Sequence, residues 1–180
     1  MATSPSPAPS PTAASPTSSP SPTSDSEVAE ANAEALIREY YRVIDQLGHD
    51  PSVPLTALDN VAISKDLDSW RRQFERARRD RWTQTGETKL VEVNVQSVNL
   101  DNSDPASGRV PAVQVDVCFD VTDVDVLDAS GSSVVTPDRP ETGWIRHTVS
   151  NYSWEDDPEG GWRVSTSVDL EQQPCEPAAS

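Results

Sequence analysis

Few side chains of this sequence stand where they could do chemistry together. The histidines are His49 and His147, and imidazole titrates near neutrality, so either is a candidate general base. His49 lies beside Gly48 and Pro51 at the end of a helical pattern, a capping position. His147 stands between Arg146 and Thr148 in a strand pattern. If Ile145, His147 and Val149 point inward it is the best lone base, but no carboxylate can be assigned to it. A satisfied or exposed strand histidine is the leading reading. Tyr40 falls on the apolar stripe of one helix, and Trp70 and Phe74 on that of another. With His147 they are the candidate ligand-binding residues, against plain core packing. Asp116, Asp120, Asp123, Asp125 and Asp128 form an acidic band of the oxygen ligands that calcium prefers, but the glycine turn and terminal glutamate of its loop motif are absent. The band reads as a solvated face that discourages edge-to-edge strand pairing. Serine-nucleophile, phosphate-loop and zinc-protease spacings are missing too. No catalytic residue, cofactor or metal site is assigned, and the reading leans away from an enzyme.

The elements that must position these residues follow from periodicity. Ala29, Ala33, Leu36, Ile37, Tyr40, Ile44 and Leu47 recur at helical spacing. Ser24 or Ser26 caps that helix, and Gly48 and Pro51 stop it. A short second helix starts at Pro54, with Leu55, Leu58 and Val61 facing inward. A third, from about Ser64 to Arg81, carries Ile63, Leu67, Trp70, Phe74 and Ala77. After Gly86 the period falls to two. Val91, Val93 and Val95 alternate with polar residues, and Val98 and Leu100 resume in the opposite phase, which predicts a bulge. Val113, Val115, Val117, Phe119 and Val121 predict the clearest half-buried strand, with Gln114, Asp116, Cys118 and Asp120 on its other side. Trp144 to Trp154 form the next strand, and Trp162, Val164, Thr166 and Val168 the last. The expected fold class is α+β, N-terminal helices packed on one strongly bent, mainly antiparallel sheet.

Composition sets the organisation. Thirty acidic against 14 basic residues give a formal charge of -16, which argues against a nucleic-acid backbone as ligand. No stretch approaches the roughly 18 apolar residues of a transmembrane helix. Residues 1–25 read as a disordered Pro/Ser/Thr-rich stalk, 26–176 as one domain, and 177–180 as a disordered tail. The leading segment is either the plain terminus of a cytoplasmic protein or the stalk of an exported one. In the second case the signal segment, and with it a lipid-bearing cysteine, would lie upstream of Met1. Cys118 and Cys175 favour the export reading, because an even cysteine count in exported domains usually means pairing; the competing account is one buried and one exposed free thiol. Half of the basic residues fall between Lys65 and Arg81. Arg72, Arg76 and Arg79 are therefore a candidate docking face for a protein partner or for self-association, against a solvated helix face.

The order of elements resembles the nuclear-transport-factor-2-like superfamily, whose long N-terminal helix packs into a cone-shaped sheet. Leu55 to Leu58, Trp82 to Gly86, Val117 to Val121, Asp128 to Gly131, Pro137 to Pro140, Gly160 to Val164 and Leu170 to Cys175 are similar to stretches in small exported proteins and lipoproteins of actinobacteria. That likeness implies export and the Cys118–Cys175 disulfide but names no chemistry. The superfamily includes isomerases and dehydratases as well as inert recognition domains, so fold cannot choose between them. The reading placed first is a non-enzymatic, extracytoplasmic accessory or binding domain on a flexible stalk, secreted or lipid-anchored. The alternatives are a small-molecule binder or enzyme using the cone interior, and a structural part of a cell-surface or conjugation apparatus.

Overall fold

Ser24 closes a capping box at the entrance to the first helix: its hydroxyl accepts from the Glu27 amide, and the Glu27 carboxylate accepts from the Ser24 amide at 2.7 Å. The computed structural model describes residues 24–173, 175 and 176. The expected stalk and the last four residues thus lie outside the described residues, apart from Ser24 and Asp25. Helix α1 spans Asp25–His49, a short 3-10 helix Leu55–Asn60, and α2 Ser64–Asp80. Gly48, expected to stop α1, lies inside it, and the helix ends at the extended Asp50 ahead of Pro51. Glycine is needed there because a Cβ would fall 2.5 Å from Gln84 Oε1.

The strands are β1 (Thr83–Thr85), β2 (Lys89–Asn99), β3 (Ala112–Asp120), β4 (Asp125–Leu127), β5 (Thr142–Asn151) and β6 (Trp162–Asp169). They form an antiparallel four-stranded sheet in the order β2-β3-β5-β6 and a separate antiparallel pair, β1-β4. The fold is therefore α+β, with two sheets where one was expected. Gly86 makes the corner between β1 and β2. Its φ of +71° favours glycine, and a Cβ would lie 1.9 Å from the Asp123 carbonyl. Asp45, buried on α1, holds that corner by accepting from the Thr88 amide at 2.8 Å and from Gln84 Nε2 at 2.7 Å.

The core lies between α1 and one face of the larger sheet. Ala29, Ala33, Ile37, Ile44 and Leu47 of α1 meet Val113, Val115, Val117, Val149 and Val164. The phase change in β2 is a bulge, with the pairing skipping Gln96; a second irregularity skips Val91. β6 carries a bulge that the sequence hides. Val164 pairs with Val149 and Thr166 with Thr148, so Ser165 is the extra residue. Beyond it the strand's phase inverts: Ser167 turns onto the inner face opposite His147, and Val168 turns outward, 60% exposed.

The other face of β3 is not solvated as expected. Asp116 and Asp120 are buried at 7% and 3% exposure. Asp116 is gripped in bidentate fashion by Arg146 of β5, with N–O distances of 2.6 and 2.7 Å. Asp120 accepts from the Thr122 amide. The C-terminal segment crosses this face from β6, where the Leu170 amide donates to the Trp144 carbonyl, to the Cys118–Cys175 disulfide. Thr142 Oγ1 donates to the Cys175 carbonyl. Cys118, fully buried, is thereby covered.

The inverted phase of β6 is testable beside the fixed phase of β3. Val115→Asp places an unpaired carboxylate in the core, at a cost of several kcal/mol against a total stability of about 5–15 kcal/mol, and should not fold. Val168→Asp should unfold at the parent's temperature. Circular dichroism and thermal melts decide; a folded first variant or an unfolded second would mean the strand faces are reversed.

Candidate functional site

Three elements bring polar side chains together around the buried Asp66 and His147. Helix α1 supplies two adjacent tyrosines, Tyr40 toward α2 and Tyr41 toward β5, both at most 9% exposed. Helix α2 supplies Asp66 in its first turn and Trp70 one turn later, on the same face. The strands supply His147 and, through the Ser165 bulge, Ser167. Trp70 Nε1 donates to Tyr40 Oη at 2.6 Å, and Tyr40 donates to Asp66 Oδ2 at 2.8 Å. Ser167 Oγ donates to Asp66 Oδ1 at 2.5 Å. His147 Nδ1 lies 2.8 Å from Ser167 Oγ, and Nε2 lies 3.0 Å from Tyr41 Oη.

These contacts admit one arrangement of protons while Asp66 is ionised. The Ser167 proton points at the carboxylate, so Nδ1 of His147 must be the donor to Ser167. A neutral imidazole then has only a lone pair at Nε2, and Tyr41 donates to it. Every O–H and N–H of the network is thereby spent within it, Tyr40 and Ser167 on Asp66, Tyr41 on His147, His147 on Ser167 and Trp70 on Tyr40. A proton on Asp66 could reverse the Ser167–His147–Tyr41 chain.

Burial governs the electrostatics. It lowers the His147 pKa to about 4, with the Asp116 charge acting weakly the other way. It raises the Asp66 carboxyl above its ordinary value, opposed by the Ser167 and Tyr40 hydrogen bonds. Both tyrosine hydroxyls are pushed well above 10, chiefly by burial and then by the Asp66 charge. At neutral pH the imidazole and both phenols are uncharged.

This network floors a cleft of about 970 Å³. Trp70, Phe119, Val121 and Ile145 supply its apolar walls, and Lys65, Asp68, Arg72 and Asp169 stand among its lining. Of the candidate ligand-binding residues, Tyr40, Trp70 and His147 come together here. Phe74 does not: it stacks behind Trp70, ring centroids 5.4 Å apart, and lines a neighbouring groove of about 540 Å³. Arg72, Arg76 and Arg78 border that groove over Trp82, Val134 and Val135. Arg76 lies 5.1 Å above the Trp82 ring. Arg79 of the candidate docking face stands outside the groove, near Asp80.

Sequence reasoning missed Asp66, Ser167 and Tyr41. Asp66 carried a signal, since it lies at helical spacing with Trp70 and Phe74 on the α2 stripe. The remaining candidates have local roles. His49 Nε2 contacts the Gly86 carbonyl at 2.6 Å. Asp123 pairs with Lys89, Asp125 accepts from Ser133, and Asp128 anchors its own turn. Among the described residues no cluster of three or more His, Cys, Asp or Glu could hold a metal, and no helix is long and apolar enough to cross a membrane.

No protein-family model and no curated protein matches the chain. Among solved structures it is similar to the intermembrane-space region of the chloroplast protein ARC6, at 16% identity over 83% of this chain and 98% of that one, with a TM-score of 0.53. A de novo designed β-sheet protein aligns at 12% identity over 78% of this chain and 88% of that one, with a TM-score of 0.32, too low to carry weight. The first likeness is one of fold alone.

Stability should register the buried imidazole. His147 binds its proton less readily folded than unfolded, so its contribution is complete above about pH 6.5 and is lost as pH falls to about 4, on the order of 3 kcal/mol. Asp66 acts in the opposite sense, its contribution being lost as pH rises through its elevated pKa. Urea unfolding of the parent across this range should show the decline, and His147→Gln should flatten it. Parallel pH profiles would contradict the buried neutral assignment.

Proposed function

We propose that the chain is a non-enzymatic, extracytoplasmic binding domain with a nuclear-transport-factor-2-like cone architecture, receiving a small ligand in the cleft between α1, α2 and the sheet. The observation that carries this reading is the cleft itself, an apolar-walled space with a fully hydrogen-bonded polar floor, the usual anatomy of a small-molecule site. The protonation of that floor favours binding over turnover. A general base works best with a pKa near the operating pH, whereas His147 is depressed and already accepts from Tyr41. The disulfide supports a location outside the reducing cytoplasm. On this reading the Pro/Ser/Thr-rich residues before the Ser24 cap serve as the stalk, with secretion or a lipid anchor as the means of attachment.

The groove beside the cleft favours a second reading, an accessory domain that docks a partner. Arg72, Arg76 and Arg78 over an apolar floor, in a chain of charge -16, suit an acidic peptide segment with an apolar anchor. Amide NMR spectra of the full chain test both readings. A library of small aromatic and aliphatic fragments should shift Tyr41, Asp66, His147 and Ser167 and yield no product on incubation. A peptide of Glu residues flanking Leu-Phe should instead shift Ala77 and Trp82, and lose its effect in Arg72→Glu/Arg76→Glu. Fragments at millimolar concentration that leave the cleft amides unmoved would overturn the first reading, and an inert peptide the second.

A further inference from the structure

The direction of every hydrogen bond in the network restricts what the cleft can hold. Trp70 Nε1 has one proton and gives it to Tyr40. Tyr40 and Ser167 give theirs to Asp66, Tyr41 gives its own to His147, and His147 gives its own to Ser167. The floor retains acceptors only. Tyr41 Oη receives no proton from the network and keeps both lone pairs, and the Asp66 carboxylate, which can accept about four hydrogen bonds, has two donors. Asp66 is also 5% exposed with no Lys or Arg among the described residues bridged to it. A buried carboxylate without a cation is costly, and a ligand's positive charge would relieve that cost. The Trp70 indole lines the same cleft, and its π system attracts a cation.

We propose that the cleft selects ligands presenting N–H or O–H donors, and above all a protonated amine attached to an apolar or aromatic body, while excluding carboxylates. The ammonium sits against Asp66 and Tyr41 Oη, and the apolar body lies along Trp70, Phe119 and Ile145. A carboxylate would face lone pairs and the Asp66 charge with no proton from the floor to receive. Lys65 and Arg72 share the lining with Asp68 and Asp169, so the formal charges of the lining outside Asp66 cancel and the floor decides the sign. This inference rests on the binding reading above.

Three probes of matched shape test it: phenethylammonium, phenethyl alcohol and phenylacetate, titrated against the full chain at neutral pH. Salt of about 150 mM limits the contribution of the chain's overall negative charge. Amide shifts at Tyr41, Asp66 and Ser167 give location and affinity together. Phenethylammonium should bind about tenfold or more tighter than phenylacetate, with the alcohol between them. Asp66→Asn, which replaces an acceptor oxygen by an N–H donor, should erase most of that preference. Tyr41→Phe, which leaves Asp66 in place, should weaken the ammonium and the alcohol alike. Equal affinities, or tighter binding of phenylacetate, would overturn the donor rule while leaving the binding reading intact. Failure of all three to shift the cleft amides would overturn both.

Discussion

Burying the Asp66 carboxylate without a cation beside it is the constraint that the site end of the molecule has to meet. A desolvated charge is tolerated only with its oxygens hydrogen-bonded, and Asp66 draws those bonds from two elements distant in sequence, Tyr40 of α1 and Ser167 of β6. The same two contacts tie α2 to α1 and to the end of β6. They also fix the imidazole: with the Ser167 proton committed to Asp66, His147 donates through Nδ1 and accepts from Tyr41 through Nε2. One carboxylate therefore links two helices and a strand and sets a tautomer and the polarity of the cleft floor.

Much of the fold was legible because it repeats. The helical stripes of α1 and α2 and the alternation of β3 are periodic signals long enough to read locally, and the phase change at Gln96 announced its bulge through valines on both sides. The cysteine pair was legible from parity and from the likeness to exported proteins. The β6 bulge was not. Serines and threonines flank Ser165, so no apolar residue marks the change of phase, and Val168 looked inward when it points to solvent. Asp116 and Asp120 looked solvated because alternation cannot foresee a C-terminal segment folding back over the outer face of β3. Strands of three residues, β1 and β4, are too short for a period, so the second sheet was not anticipated.

The site was legible in pieces. Tyr40, Trp70 and His147 were singled out as candidates, and the structure joins them through Asp66 and Ser167, which no local pattern had brought forward. Phe74 was grouped with Trp70 by helical spacing alone, and its place behind that ring follows from stacking. Contacts such as Ser167 to Asp66, a hundred residues apart in the chain, depend on tertiary structure and leave no local trace.

The donor pattern of the cleft floor depends on His147 being neutral with its proton on Nδ1. Nitrogen NMR of the imidazole reads this directly, since the two ring nitrogens resonate far apart when one bears a proton and the other a lone pair. At about pH 7 the account predicts a protonated Nδ1 and a bare Nε2. A proton on Nε2, or an imidazolium at that pH, would contradict it, because either would reverse or break the chain of donors that ends on Asp66.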